Sequence, residues 1–362
     1  MKAQYMAAAA IGALLGGCTT MNDMDMASAQ TNEVLPGTEA GPFENADIPA
    51  GTGYFAADST LPFLAPDFNQ IQPADFRPAF EQAMQIHAAE VAAIANNPAP
   101  ATFANTIVPL ETSGRMLNRV AAVFYALTGA NTNETLDAID AEISPKLSAH
   151  SDAIQLNPQL FQRVKAVYDN RAAMAMTPED AKLLEETYEQ MVHAGAMLNE
   201  AQKAEVKQIN SRLSTLTTEF SQLLTKATNE NALVVDDVAL LQGLSPATIE
   251  AASKAAAERG LPGKYVIALQ NTTQQPLLPE MENRAAREAL FMASINRANR
   301  GDANDTRAMV AEIAALRARK AALFGQPDWA SYVMYDRMAK NPRTAIDFME
   351  AMVPALAATQ RR

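Results

Sequence analysis

The stretch VKQINSRLSTLTTEFSQL, residues 206–223, decides the fold class. Its apolar residues Val206, Ile209, Leu213, Leu216, Phe220 and Leu223 recur at spacings of three and four for nearly three heptads. That is the narrow seam of a long helix packed against a neighbour. The same period returns on either side. Residues 78–96 carry Phe80, Met84, His87, Val91 and Ile94 on one face, and Asn96-Asn97-Pro98 stops the helix. Further on, Asp305 reads as an N-cap, Met309, Ile313, Leu316 and Leu323 as the buried face, and Gly325 with Pro327 as the stop. Residues 345–362 read as another helix, kinked at Pro354, with Ile346, Met349, Val353 and Leu356 on one face and no closing cap. Strand signals are few: residues 232–238 and 264–269, the second after Pro262-Gly263, predict a small β-ribbon between helices. The expected fold is mainly α.

Composition agrees with that pattern. The 362 residues are 48% hydrophobic and 19% charged, with one Trp, 15 Gly and 6% aromatics, a balance that favours helices over sheets. The formal charge of −12 comes without a basic stripe, so phosphate backbones would be repelled and nucleic acid is not an expected partner.

The single cysteine, Cys18, rules out an intrachain disulfide, and its position is informative. A short basic start is followed by an apolar run from Met6 to Leu15, too short to span a bilayer, as in a secretory signal. The run closes in Leu15-Gly16-Gly17-Cys18, which resembles a bacterial lipobox. Residues 1–17 are therefore expected to be a lipoprotein signal peptide, with Cys18 lipidated and the chain held at a membrane facing the periplasm, the outer membrane by the sorting rule for Thr19. The alternative is an ordinary signal peptide with an incidental cysteine. Residues 18–60, rich in Asn, Asp, Thr, Gly and Pro without helical period, are expected to form a flexible tether with a reach of roughly 35 Å.

Spacing excludes most familiar chemistry. The only histidines, His87, His150 and His193, form no His-Glu-x-x-His, the arrangement that sets two imidazoles one turn apart around a catalytic glutamate. The pairs His87 with Glu90 and Glu189 with His193 have helical spacing for sharing a metal, but such pairs are more often solvated side chains. No Gly-x-Ser-x-Gly elbow or phosphate loop occurs, and the adjacent acids Glu185-Glu186 and Asp236-Asp237 read as surface charge.

Several segments carry a resemblance. Residues 103–111, Phe-Ala-Asn-Thr-Ile-Val-Pro-Leu-Glu, with Ser113-Gly114, resemble a segment of the thimet-oligopeptidase-like M3 metallopeptidases. Ser144-Pro145-Lys146-Leu147, His150-Ser151-Asp152-Ala153-Ile154 and Asn157-Pro158-Gln159-Leu160-Phe161 follow in matching order. Residues 269–276, Asn283-Arg284, Arg287-Glu288, residues 316–321 and Met338-Ala339-Lys340 resemble the bacterial peptidyl-dipeptidase branch. Residue by residue the packing reading precedes a catalytic one: Phe103, Ile107 and Leu110 as helix core, His150 as a hydrogen-bonded packing group.

The resemblance implies a helical, two-lobed enzyme that uses one zinc on a His-Glu-x-x-His helix to hydrolyse short peptides, releasing C-terminal dipeptides. It places residues 61–362 in the helical N-terminal portion, truncated before the zinc-binding part. No catalytic, cofactor or metal residue is therefore expected in this chain, which would be inactive alone and would need the missing C-terminal catalytic half. The alternatives are a non-catalytic peptide-binding lipoprotein or an inert fragment.

Overall fold

A computed structural model describes residues 47–361. They fall into two compact units, one comprising the chain up to Thr215 together with Leu316 onward, the other Leu216–Ala315. The signal peptide over 1–17 and the lipidated Cys18 lie outside the described residues.

The first unit begins earlier than expected. Phe55, in a 3-10 turn at Tyr54–Ala56, is 3% exposed, with its ring 5.6 Å from that of Phe76. Arg119 donates to the carbonyls of Phe55 (2.9 Å) and Ala56 (2.8 Å) and pairs with Asp58 at 2.8 Å. Burying such a ring is worth about 2–3 kcal/mol, which ties this turn to the body. Of the expected tether over residues 18–60, residues 18–46 lie outside the described residues, and only its last part is corrected: from Ile48 the chain already packs on the body.

Helix α1 (Pro73–Ala95) has proline at its first position, and the Asp75 carboxylate accepts from the Gln72 amide at 2.8 Å while the Asp75 amide donates to the Gln72 carbonyl. It packs with α2 (Arg115–Asn131) and α3 (Glu134–Gln155) around Phe76, Phe80, Leu117, Val120, Phe124, Ile139 and Ile143. Phe124 meets Phe76 and Phe80 edge-on at 5.1 and 5.2 Å between centroids. The next helices, α4 (Pro158–Asp169) and α5 (Pro178–Ala194), start from Asn157 and Thr177 caps and close a second core on Val91, Ile94, Ile107, Leu160, Val164, Leu184 and Met191. Phe103 and Leu110 are partly buried against that core, and Ile107 is inside it, as their packing reading requires. The seam that decided the fold lies in α6 (Glu200–Glu230), where Val206, Ile209 and Leu216 are buried and Leu213, Phe220 and Leu223 half-buried.

The second unit contains the expected ribbon. Strands β1 (Leu233–Val235) and β2 (Tyr265–Ile267) pair antiparallel, Val234 opposite Val266, separated by α7 (Pro246–Glu258). Helices α8 (Asn271–Leu277) and α9 (Arg284–Ile295) complete a core of Val235, Leu241, Ile267, Leu269, Leu277, Met281 and Leu290. Gly243 is obligatory there: its φ is +97° and a Cβ would stand 2.1 Å from the carbonyl oxygen of Glu280.

Helix α10 (Arg307–Leu323) begins one residue later than expected. The amide of Val310 bonds Thr306 O at 2.9 Å, whereas the Asp305 carboxylate turns to Gly301 N and Arg307. Its expected apolar face is only half-buried; the fully buried residues are Lys320 and Ala321. A short helix α11 (Trp329–Val333) and α12 (Pro342–Gln360) follow, and α12 buries none of its residues. Among the described residues no helix is long and apolar enough to cross a membrane.

Candidate functional site

Two polar clusters lie in the first unit, both touching α3. In the first, His87 of α1 faces His150 of α3, with 3.0 Å between Nδ1 and Nε2, and its Nε2 lies 3.2 Å from Ser113 Oγ. The direction of this chain follows from its far end. Ser113 Oγ donates to the Leu110 carbonyl at 2.7 Å, so it accepts from His87 Nε2–H, and His87 Nδ1 is left to accept from His150 Nε2–H. Gly114 closes the turn with φ +71°, and a Cβ there would stand 3.0 Å from the His87 ring. Its amide donates to Glu90 at 2.7 Å. Burial, then the neighbouring His150, pushes His87 down to about 4, and burial lowers His150 as well. Near neutral pH both rings are uncharged, which suits a chain of neutral hydrogen bonds in a buried place.

The second cluster joins three helices through an amide. Asn210 of α6 donates to Asp152 Oδ1 of α3 at 2.6 Å, and its own oxygen accepts from Lys320 Nζ of α10 at 2.8 Å. Burial raises Asp152 to about 6, opposed by the Asn210 bond and by the charges of Lys320 and Lys207. Burial likewise lowers Lys320 to about 8 against the pull of Asp152. At neutral pH the two therefore remain mostly a relayed ion pair. Such a pair costs desolvation and fixes geometry more than it adds stability. Beside it, the His193 ring stacks on Tyr332 (4.1 Å) and Tyr335 (3.9 Å), and Tyr332 Oη donates to His193 O at 3.0 Å. Burial and then the Lys320 charge depress His193 to about 4.

The expected pairings resolve differently. Glu90 and His87 do not face one partner, since Glu90 binds a backbone amide and His87 binds His150 and Ser113. His193 is committed to tyrosines. Glu185 and Glu186 both pair with Lys182, and Asp236 pairs with Lys264, the surface roles read for them. Among the described residues no three His, Cys, Asp or Glu side chains gather as metal ligands. With both ring nitrogens of His87 occupied and His193 walled in by tyrosines, these histidines of the described residues do not form a set that fits a catalytic zinc. The Asp152–Asn210–Lys320 cluster was missed by sequence reasoning. Its members stand 58 and 110 positions apart on three helices, and no local pattern marks them.

Residues 277–362 match the family described as peptidase family M3. The chain is 46% identical over 301 residues to a dipeptidyl carboxypeptidase of Escherichia coli K12, covering 83% of this chain and 44% of that protein. A dipeptidyl carboxypeptidase of Salmonella typhimurium LT2 is 43% identical over 296 residues, again 44% of its length. An oligopeptidase A of Haemophilus influenzae is 27% identical over 289 residues, 42% of its length. The chain thus spans less than half the length of the curated relatives it matches.

Proposed function

The chain belongs to peptidase family M3, on the dipeptidyl carboxypeptidase branch and over its N-terminal portion, and from that premise we propose that it is part of a zinc metallopeptidase that releases C-terminal dipeptides from short peptides. The observation that carries this reading is 46% identity to a dipeptidyl carboxypeptidase across 301 residues. The zinc and its ligands belong, on this reading, to sequence other than residues 1–362. The first unit's own contribution is a helical frame, cross-tied by the His87–His150 and Asp152–Asn210–Lys320 contacts.

The test compares the chain alone with the chain extended to the relatives' length by the remainder of the Escherichia coli enzyme. Bound zinc and the release of dipeptides from an N-blocked tetrapeptide are measured by mass spectrometry. The extended protein should hold one zinc and release dipeptides, and the chain alone should do neither. Comparable hydrolysis by the chain alone would reject the division of labour. Peptide binding without dipeptide release by a zinc-loaded extended protein would favour a binding lipoprotein instead.

The location belongs to the same proposal. Leu15-Gly16-Gly17-Cys18 supports a lipid anchor on Cys18, preceded by a signal peptide, with the residues between Cys18 and Asp47 as the spacer. Cys18→Ser should shift the protein from the membrane to the soluble fraction of cells; unchanged partitioning rejects the anchor.

A further inference from the structure

Residues 59–68, Ser-Thr-Leu-Pro-Phe-Leu-Ala-Pro-Asp-Phe, form a hook in the first unit whose apolar side chains join neither of its cores. Phe63 is wholly exposed, and Leu61, Leu64 and Phe68 are exposed as well. Phe63 and Leu64 both take left-handed backbone, φ +60° and +57°, in the turn Pro62–Leu64. Residues with a Cβ adopt that conformation at a cost, and here it is held in a segment that leaves an aromatic ring in water. The hook is braced from behind. Ser59 Oγ donates to Ala65 O at 2.6 Å and accepts from Leu61 N at 3.2 Å, and the Asp67 amide donates to Tyr54 Oη, whose ring packs against the core.

A tip that enters lipid has to satisfy its own main chain and leave charge behind. Both conditions hold here. The amides of Leu64 and Ala65 bond Leu61 O and Pro62 O at 3.0 and 3.2 Å, Leu61 N is taken by Ser59, and Pro62 and Pro66 have no N–H, so in residues 61–66 only Phe63 N is without an internal acceptor. The flanking charges are tied down: Asp58 pairs with Arg119, and Asp67 accepts from Asn69 N and Gln70 Nε2, with eight uncharged residues between the two acids. Between Cys18 and Arg77 stand nine carboxylates and no Lys, Arg or His, so attraction to anionic headgroups is absent and adhesion has to be apolar. With 28 residues between Cys18 and Asp47, a lipid on Cys18 would keep Ile48 within roughly 100 Å of the bilayer, and the hook is the first exposed apolar segment after it among the described residues. We infer that this hook is a second membrane contact: Phe63 and Leu64 seat in the boundary between headgroups and acyl chains of the bilayer that holds Cys18. The assignment rests on the anchor reading for its location and gives the folded body a lipid-facing side.

The test uses the chain from residue 18 onward with Cys18→Ser, so that neither the signal segment nor a lipid can bind, both alone and extended by the remainder of the Escherichia coli enzyme. Co-sedimentation with phosphatidylcholine vesicles is measured, then repeated with phosphatidylglycerol in the vesicles and with added sodium chloride. Both proteins should bind phosphatidylcholine, phosphatidylglycerol should not tighten the binding, and salt should not release it. Phe63→Ser should weaken the partition roughly tenfold to thirtyfold, the loss expected for one aromatic side chain leaving an apolar surrounding. Phe63→Ser combined with Leu64→Ser should abolish it, and Leu356→Ser on α12 should leave it unchanged; circular dichroism confirms that each variant is folded. Absence of co-sedimentation for either protein overturns the contact, as does binding that Leu356→Ser removes and Phe63→Ser does not. Binding by the chain alone that is lost on extension would show that further peptidase sequence covers the hook, and overturns it too. Each of these failures leaves the Cys18 anchor, read from the partitioning of Cys18→Ser in cells, and dipeptide release by the extended enzyme as they were.

Discussion

Helices α1 and α12 are built alike and end differently. Each has proline at its first position, a side-chain hydrogen bond at its N-terminus, a second proline inside and an apolar stripe along one face. In α1 that stripe is inside the protein: Phe76 and Phe80 are fully buried, and Ile86, His87, Val91 and Ile94 nearly so. In α12 the stripe faces outward, with Met349 53%, Val353 56% and Leu356 64% exposed. An amphipathic period states which face requires a partner and says nothing about whether these residues supply one. The same pattern is satisfied in one helix and open in the other.

The contrast breaks most visibly at α1. Phe80→Ala should cost about 3–5 kcal/mol in chemical denaturation, the penalty for a large cavity in a closed core. A loss under about 1 kcal/mol, within the range of surface substitutions, would mean that the core is looser than drawn.

A smaller loss, about 2–3 kcal/mol, is expected for Lys320→Ala, which leaves Asp152 buried with only Asn210 and the charge of Lys207 to answer it. The deficit should shrink as pH falls below about 6, where Asp152 takes up a proton in the folded state. A deficit independent of pH would show that the two charges do not communicate.

The histidines sharpen the picture through acid. His87 has a folded pKa near 4, below its ordinary 6.5, so the unfolded chain takes up the proton first. Its stabilising effect is present above pH 6.5 and is lost as pH falls toward 4, about 3 kcal/mol in all. His193 acts in the same sense, and Asp152, with its raised pKa, in the opposite one. Comparison of the parent with His87→Gln therefore isolates the effect: the variant should have a shallower acid slope between those limits, and identical slopes would contradict it.

At α12 almost nothing should happen. Leu356→Ser is expected to change stability by less than about 0.5 kcal/mol, as for an ordinary surface position. A cost near that of Phe80→Ala would mean that the stripe is covered.

Much of the fold was legible because helices advertise themselves locally. The face of α1, the seam of α6 and the two short β-branched runs of the ribbon are periodic within a window of a few turns, and each appears where its spacing put it. The start of the body was not legible, because Tyr54 and Phe55 are one adjacent aromatic pair among Gly, Ala, Asp and Thr, and a single pair has no period. Nor was the buried side of α10, where Met309 and Ile313 follow the apolar pattern but Lys320 occupies the interior. Lys320 is held there by Asn210 from 110 positions away, and a contact of that kind leaves no trace in local spacing. The histidine pair is similar: His87 and His150 stand 63 positions apart, and only the fold makes them neighbours.

The most direct test of the peptidase assignment is to sequence the DNA that follows the codon for Arg362 and translate it in every frame. Membership in a zinc dipeptidyl carboxypeptidase predicts a His-Glu-x-x-His motif there, followed by a further helical glutamate, in frame or after a single shift. The absence of such a motif from every frame, and from any separate chain that co-purifies with this one, would contradict it.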